Sequence, residues 1–343
     1  MCDTVRTRRN YSPPSLRSYA DKDTKLGHES TSTRVLALAG GVGGAKMAHG
    51  LAAVFGAENL TVVVNTADDF EHLGLLISPD LDTVMYTLAG IENPETGWGI
   101  AGDTRVTLDA LAAYGEDPWF LVGDRDFATH IYRTSHLERG ETLAEVTARL
   151  AHASGVETRL LPMCNEPVAT MVDTPAGRLS FQDYFVARRQ QDDVLGVTFA
   201  GIEEAVPAPG VLEAFATADV IVFCPSNPIV SIGPILAVKG IREALGSTPA
   251  YKIAVSGIIG GKALKGPADR MLQTLGIERS AAGVAGLYRG LIDAMVIDTI
   301  DADLAPVIRK LGIEVLVTDT IMSDPGKRKA LAYDISAFAG GRS

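Results

Sequence analysis

The sequence is short of cysteine. Only Cys2, Cys164 and Cys224 occur in 343 residues, and no two have CxxC spacing. That excludes a disulfide framework and a cysteine zinc site, and it fits a reducing, cytoplasmic setting. Long hydrophobic runs are missing too. No stretch approaches the roughly 20 apolar residues of a membrane helix, and no apolar core follows the N-terminal arginines as in a signal peptide. Positive charge is scarce: 31 Lys and Arg stand against 42 Asp and Glu, a formal net charge of −11. A general nucleic-acid binder presents a basic face, so that class is excluded. A small anionic ligand is not, because backbone N–H groups, a few cations or a metal can hold phosphate.

What the chain does carry is a patterned apolar interior. Hydrophobic residues make up 46% and charged residues 21%, the balance of a soluble globular protein with a large core. The length suits one large α/β domain or two smaller ones. Residues 1–33 are rich in Ser, Thr, Arg, Asp and Pro and lack apolar periodicity, so a disordered extension is expected there. Residues 34–343 then form one Rossmann-like unit.

That unit opens on residues 35–39, an apolar run of one buried strand's length. Gly40, Gly41, Gly43 and Gly44 break it, and from Ala45 to Phe55 apolar residues return at helical spacing. Strand, Gly-rich turn and helix make the first unit of an α/β parallel-sheet fold. Glycines let the backbone approach a phosphate closely, the helix start offers N–H groups, and Lys46 adds a point charge. The motif departs from two familiar phosphate loops. A dinucleotide fingerprint needs a third Gly where Lys46 stands, and a Walker loop needs Gly-Lys-Ser/Thr where Ala45-Lys46-Met47 stands. A tight turn with no ligand is the plain alternative.

Residues 60–64 read as a second strand, ending in Asn65-Thr66-Ala67-Asp68-Asp69, where open α/β sheets bind ligands. Ser78-Pro79-Asp80-Leu81-Asp82-Thr83 then opens a helix to Leu88. Helix capping alone accounts for Asp80 and Asp82. Yet Asp68, Asp69, Asp80 and Asp82 all fall on loops beside the Gly-rich turn, and clustered carboxylates repel unless a cation neutralises them. Such oxygen donors suit Mg²⁺, which often bridges to substrate phosphates.

Residues 103–153 read as mostly helical. Within them Asp124-Arg125-Asp126 is either a helix cap with a surface ion pair or a polar lining of an acceptor pocket, and His130 shares a helix face with Asp126. Residues 168–172 and 178–181 flank a strong turn and read as a hairpin. The block of about 100–200 reads as an insertion into the α/β core. Residues 220–224 then form a strand ending in Pro225-Ser226-Asn227-Pro228, where Ser226 and Asn227 offer short groups to a phosphate or a base edge. Residues 253–255 lead into a second Gly/Lys loop, with Lys262 and Lys265, that is either a phosphate contact or a solvated turn. Residues 295–297 and 315–317 are late strands.

Taken together these stretches resemble the 2-phospho-L-lactate transferases of deazaflavin coenzyme F-420 biosynthesis and their actinobacterial counterparts. The likeness is carried by Gly40-Gly41-Val42-Gly43-Gly44-Ala45-Lys46, Val64-Asn65-Thr66-Ala67-Asp68-Asp69, Ser78 through Thr83, Gly97-Trp98-Gly99, Gly123 through His130, Leu161-Pro162-Met163, Phe181-Gln182-Asp183, and Pro225 through Pro234. It runs from about residue 35 to the C-terminal region.

The resemblance implies that a guanosine-diphosphate-activated three-carbon acid donates its phospho-acid moiety to the terminal ribityl hydroxyl of the deazaflavin Fo, with GMP leaving. It implies Mg²⁺ dependence, a nucleotide-binding Rossmann-like core and a homodimer. Within it the Gly-rich turn, Lys46, Ser226 and Asn227 grip the diphosphate. Asp68, Asp69, Asp80 and Asp82 hold Mg²⁺. Asp68 or Asp82 serves the incoming hydroxyl, with Asp82 nearest the ribityl chain, and Asp124 and Arg125 border the acceptor. Loss of Asp82 is expected to cripple turnover and leave the fold. A related group of regulatory proteins shares this core and binds nucleotide-sugars without known transfer chemistry; the Asp80–Asp82 and Asp124–Asp126 pieces favour the transferase. The missing third Gly disfavours a nicotinamide-dependent dehydrogenase.

Overall fold

The computed structural model describes residues 33–117, 119–188 and 190–341. All but Thr33 of the extension expected at 1–33 lies outside them.

Seven strands form the central sheet: β1 (Val35–Ala39), β2 (Leu60–Val64), β3 (Arg159–Pro162), β4 (Val220–Phe223), β5 (Tyr251–Val255), β6 (Ala294–Asp298) and β7 (Glu314–Thr318). Every neighbouring pair is parallel, in the order β7-β6-β5-β4-β1-β2-β3. Apolar runs suit this position because a parallel sheet is covered on both faces. In β1, Leu36 and Leu38 enter one core, while Val35, Ala37 and Ala39 enter the core on the other face. Helix α1 (Gly41–Phe55) packs Met47, Ala48 and Leu51 into the second core beside Leu331 and Ile335 of the helix Pro325–Gly340. Burying a side chain such as Leu51 contributes about 1.5–3 kcal/mol. The two helices cross closely because position 50 is glycine: a Cβ there would lie 2.3 Å from Arg328 O.

This order is that of a doubly wound Rossmann-like sheet. The chain winds outward from β1 to β3, then returns to lay β4 on the other side of β1, so a switch point falls between β1 and β4. Their C-terminal ends, Gly40 and Pro225–Asn227, meet there.

The stretch expected as one insertion, about 100–200, is interrupted by β3, which belongs to the central sheet. The strand is short and ends in Pro162, which an edge position tolerates. Two excursions result. Between β2 and β3 come a small hairpin (Phe70–His72 with Leu75–Ile77) and the helices α2 (Pro79–Leu88), α3 (Val106–Ala113), α4 (Asp124–Leu137) and α5 (Leu143–Ala153). Between β3 and β4 comes a three-stranded antiparallel sheet of Ala169–Thr174, Gly177–Ser180 and Gly196–Ala200, which includes the expected hairpin. Among the described residues no helix is long and apolar enough to cross a membrane.

Candidate active site

The Gly-rich turn is braced from two sides. Gly40 N donates to Ser226 Oγ (3.0 Å), and that hydroxyl donates back to Gly40 O (2.8 Å). Gly41, at φ +60°, donates its N–H to Asp80 Oδ1 (2.7 Å). Asp80 Oδ2 accepts from Asn65 Nδ2 (3.0 Å), and Asn65 Oδ1 accepts from Ala67 N (3.0 Å). Asp80 thus takes the anion position at the start of α1, favoured by the helix dipole. The glycines are needed for packing here. A Cβ on Gly43 would sit 2.2 Å from Pro225 O, and one on Gly40 would sit 2.5 Å from Asp80 Oδ2.

Around this brace lie the carboxylates. Asp68, Asp80 and Asp82 are all buried. Asp69 Oδ2 accepts from Ser78 Oγ (2.7 Å), while Asp69 Oδ1 and Asp68 Oδ1 are buried with no hydrogen-bond partner among the described residues. Burial, with the nearby Asp80 charge, pushes the Asp68 carboxyl well above the usual range. Burial does the same to Asp69, partly offset by Ser78. Burial also raises Asp80 to about 6, against the pull of Asn65 and the Gly41 amide.

Asp82 sits differently. Arg133, on α4, donates Nη1–H to Asp82 Oδ2 (3.1 Å) and Nη2–H to Oδ1, with both side chains buried. His130 Nδ1 lies 3.3 Å from Arg133 Nη1, and its Nε2 lies 3.3 Å from Asp126 Oδ1. The guanidinium has only protons to offer, so His130 Nδ1 must accept. Tyr86 O–H donates to Asp126 Oδ1 (2.7 Å). Burial opposes ionisation of Asp126, yet His130 and Tyr86 hold its carboxyl below the usual range. One ligand atom from each of Asp82, Asp126 and His130 lies within 4.8 Å of the others, a metal-compatible grouping among the described residues.

Asp68, Asp80, Asp82, Tyr86, Asp126 and His130 line a cavity of about 590 Å³. Its polar end is built from Gly40–Gly43, Asp68, Asp80, Asp82, His130, Ser226 and Asn227. Its walls are aromatic. Trp98 stacks on Phe120 with ring centres 6.4 Å apart, Trp119 packs edge-on to Phe120, and Phe181 stacks on Phe185 at 5.5 Å. Val42, Gly43, Pro225 and Lys265 also line a second cleft of about 180 Å³.

The residues singled out from sequence separate in space. Gly40, Gly41, Gly43, Asp68, Asp80, Asp82, Ser226 and Asn227 line the cavity; Gly44 packs tightly against Ser226, and Asp69 is held behind by Ser78. Lys46 lines the smaller cleft instead. Asp124 and Arg125 do not line either space. Asp124 is half-buried and caps α3, accepting from Val106 N (3.0 Å) and Thr107 N (2.8 Å), while Arg125 pairs with Asp103 at 3.5 Å. Asp126 and His130 of the same helix line the cavity. Arg133, Tyr86, Trp119 and Phe120 were not foreseen. Arg133 carried a signal: it follows Asp126 and His130 along one face of α4.

A doubly wound α/β sheet with a carboxylate-rich, aromatic-walled cavity at its switch point defines the class: an α/β protein with its ligand site at the topological switch. The chain belongs to the family described as 2-phospho-L-lactate transferase CofD, whose profile matches residues 35–321. It is 45% identical over 312 residues to a phosphoenolpyruvate transferase of Streptomyces coelicolor, covering 89% of this chain and 98% of that protein. It is 41% identical over 298 residues to a 2-phospho-L-lactate transferase of Methanosarcina acetivorans, covering 87% and 96%. Among solved structures, protein BH3568 of Bacillus halodurans is similar, with a TM-score of 0.55 and 16% identity over 84% of this chain and 93% of that one, a likeness of fold alone. The protein is thus a CofD-type transferase and an enzyme.

Proposed function

We propose that this transferase moves a phospho-three-carbon-acid unit from its guanosine-diphosphate-activated form to the terminal ribityl hydroxyl of the deazaflavin Fo. The acceptor oxygen bonds to the phosphorus next to the acid, the bridging P–O bond breaks toward GMP, and the hydroxyl proton is released. The observation that carries this reading is the larger cavity, whose aromatic walls suit a flat ring system and whose end gathers buried carboxylates at the Gly-rich turn. Enolpyruvyl is our choice of acid over lactyl. The Streptomyces relatives of that name reach 43–45% identity, and the Methanosarcina 2-phospho-L-lactate transferases 40–41%.

Phosphoryl transfer needs alignment and charge neutralisation more than covalent chemistry on the protein. Asp82, aimed by Arg133, orients the ribityl hydroxyl and takes its proton. Ser226 holds the Gly-rich turn in place against β4. The residues fit a hard divalent cation: Asp68 and Asp69 each keep a buried unpartnered oxygen, and ligation relieves the burial that raises their pKa values. We assign Asp68 and Asp80, which line the cavity, as its holders, with Asp69 supporting from behind them and Asp82 at the margin because Arg133 already neutralises it. Bound there, Mg²⁺ would offset charge on the phosphate oxygens. GMP release that requires both Fo and Mg²⁺, followed by chromatography, tests the reading; release without Fo would contradict it. The family likeness also carries the homodimer, which light scattering checks.

A further inference from the structure

Five buried side chains close a circuit between two helices. α2 supplies Asp82 and Tyr86, one turn apart, and α4 supplies Asp126, His130 and Arg133 along one face. Among the described residues the Asp82 carboxylate takes hydrogen bonds only from Arg133. That fork fixes the two groups to each other but not to the fold, because Arg133 Nε is buried without a partner. Two contacts tie the pair to its surroundings. Arg133 Nη1 donates to Leu76 O at 3.4 Å, and the same nitrogen lies 3.3 Å from His130 Nδ1. His130 Nδ1 is also 3.6 Å from Asp82 Oδ2, so both acceptors face one guanidinium nitrogen. The positive charge there makes Asp82, Asp126 and His130 a poor cation site, since Arg133 already takes up both Asp82 oxygens and the imidazole lone pair.

His130 is held in turn. With Nδ1 accepting, the ring is neutral and carries its proton on Nε2, 3.3 Å from Asp126 Oδ1. That contact is poorly aligned and is the weakest join of the circuit. Asp126 is fixed more firmly, by Tyr86 O–H at 2.7 Å and by its own N–H to Asp103 Oδ2 at 3.1 Å. Through Tyr86 the circuit returns to the helix that carries Asp82. Asp82, Tyr86, Asp126 and His130 line the cavity, and Arg133 stands behind them.

We propose that His130, seated on Asp126, is a positioning residue for the transfer: it anchors the Arg133–Asp82 pair to α4, so that the Asp82 carboxylate keeps its direction toward the acceptor hydroxyl. The assignment rests on the transfer reaction above, in which Asp82 takes that proton. His130 acts through the pair and not on the reacting atoms. Its worth is that of alignment, where a misplacement of about 1 Å costs on the order of 10²-fold in rate.

Steady-state GMP release by the full chain, with Fo and donor each varied, tests this. His130→Leu should lower kcat by roughly 10²-fold and leave both KM values within about twofold. His130→Asn, whose amide oxygen stands near the place of Nδ1, should recover most of the loss. His130→Gln, whose amide reaches the place of Nε2 instead, should not. Asp126→Asn should cost less, about tenfold, because its join to His130 is weak. Added to His130→Leu it should cost nothing further, since the two residues act as a unit. Melting curves on each variant separate loss of fold from loss of alignment. An unchanged kcat in His130→Leu overturns the proposal. So does a folded His130→Asn no faster than His130→Leu, or a fall in kcat that comes with matching rises in both KM values. Nitrogen-15 NMR of the unaltered protein reads the anchor without turnover: the Nε2–H tautomer is expected, and an Nδ1–H ring or an imidazolium overturns it. The two readings fail separately. No GMP release by an unaltered protein that holds the Nε2–H tautomer sinks the transfer reaction. Normal GMP release with His130→Leu sinks the positioning role.

Discussion

Arg133 holds Asp82 with both terminal guanidinium nitrogens, one at 3.1 Å, and both side chains are buried. The pair joins α2 to α4 and fixes the direction of a carboxylate in the cavity. Removing one partner of such a pair leaves a buried charge uncompensated and costs about 3–5 kcal/mol. Asp82→Asn should therefore lower stability as well as turnover, unlike the expectation from sequence that the fold would be untouched. Turnover per folded molecule should fall ~10²–10⁴-fold, the usual worth of a positioned general base. The double variant Asp82→Asn/Arg133→Met should regain stability in denaturant melts and stay inactive. Recovery of activity with stability would make Asp82 a structural residue only.

Gly43 is the tightest point of the turn, 2.2 Å from Pro225 O once a Cβ is added. Backbone must move to accept Gly43→Ala. The expected cost is about 1–3 kcal/mol of stability, with donor KM raised and acceptor KM little changed. Steady-state kinetics against each substrate checks this; equal effects on both would point to general unfolding.

The aromatic walls should read the acceptor. Trp98→Ala and Trp119→Ala each remove a face against which a flat ring can stack, an interaction of about 1–3 kcal/mol per ring. Fo affinity should fall by tenfold or more in a fluorescence titration while GDP affinity holds. Undiminished Fo affinity in both would move the acceptor elsewhere.

The buried acids predict a pH dependence of defined sign. Asp80 is raised to about 6, and Asp68 and Asp69 are raised as well. The folded protein then holds protons that the unfolded chain, with carboxyl pKa values near ~4, has released. Without metal, these groups cost nothing below pH ~4 and destabilise progressively as pH rises through about 6. Metal binding needs the ionised form, so the Mg²⁺-induced rise in melting temperature should be larger at pH 7.5 than at pH 5. A rise that is equal at both, or larger in acid, would place the cation away from these carboxylates.

The core of this fold was legible because its strands are buried on both faces and read as short apolar runs, the first two ending at Gly40 and Asn65. β3 escaped because it offers only Leu160 and Leu161 between Arg159 and Pro162. The acids were legible as loop residues at strand ends. Which of their oxygens are engaged was not, because the partners are remote in sequence: Gly41 and Asn65 for Asp80, Arg133 for Asp82. The Asp124–Asp126 segment shows the limit most clearly. α4 begins at Asp124, so successive side chains turn by about 100°; the first caps α3 and the third meets Tyr86 and His130. Only the helix start decides that phase.

The central claim is transfer to Fo, and product mass tests it most directly. The purified protein would be incubated with Fo, Mg²⁺ and, in turn, the enolpyruvyl, lactyl and glyceryl forms of the guanosine-diphosphate-activated acid. The account predicts a new species at the mass of the dehydro-phospho-Fo adduct, with an equal amount of GMP, and less or none from the other two donors. No adduct from any donor, with GDP still bound, would contradict it and favour a nucleotide-binding regulatory protein on the same fold.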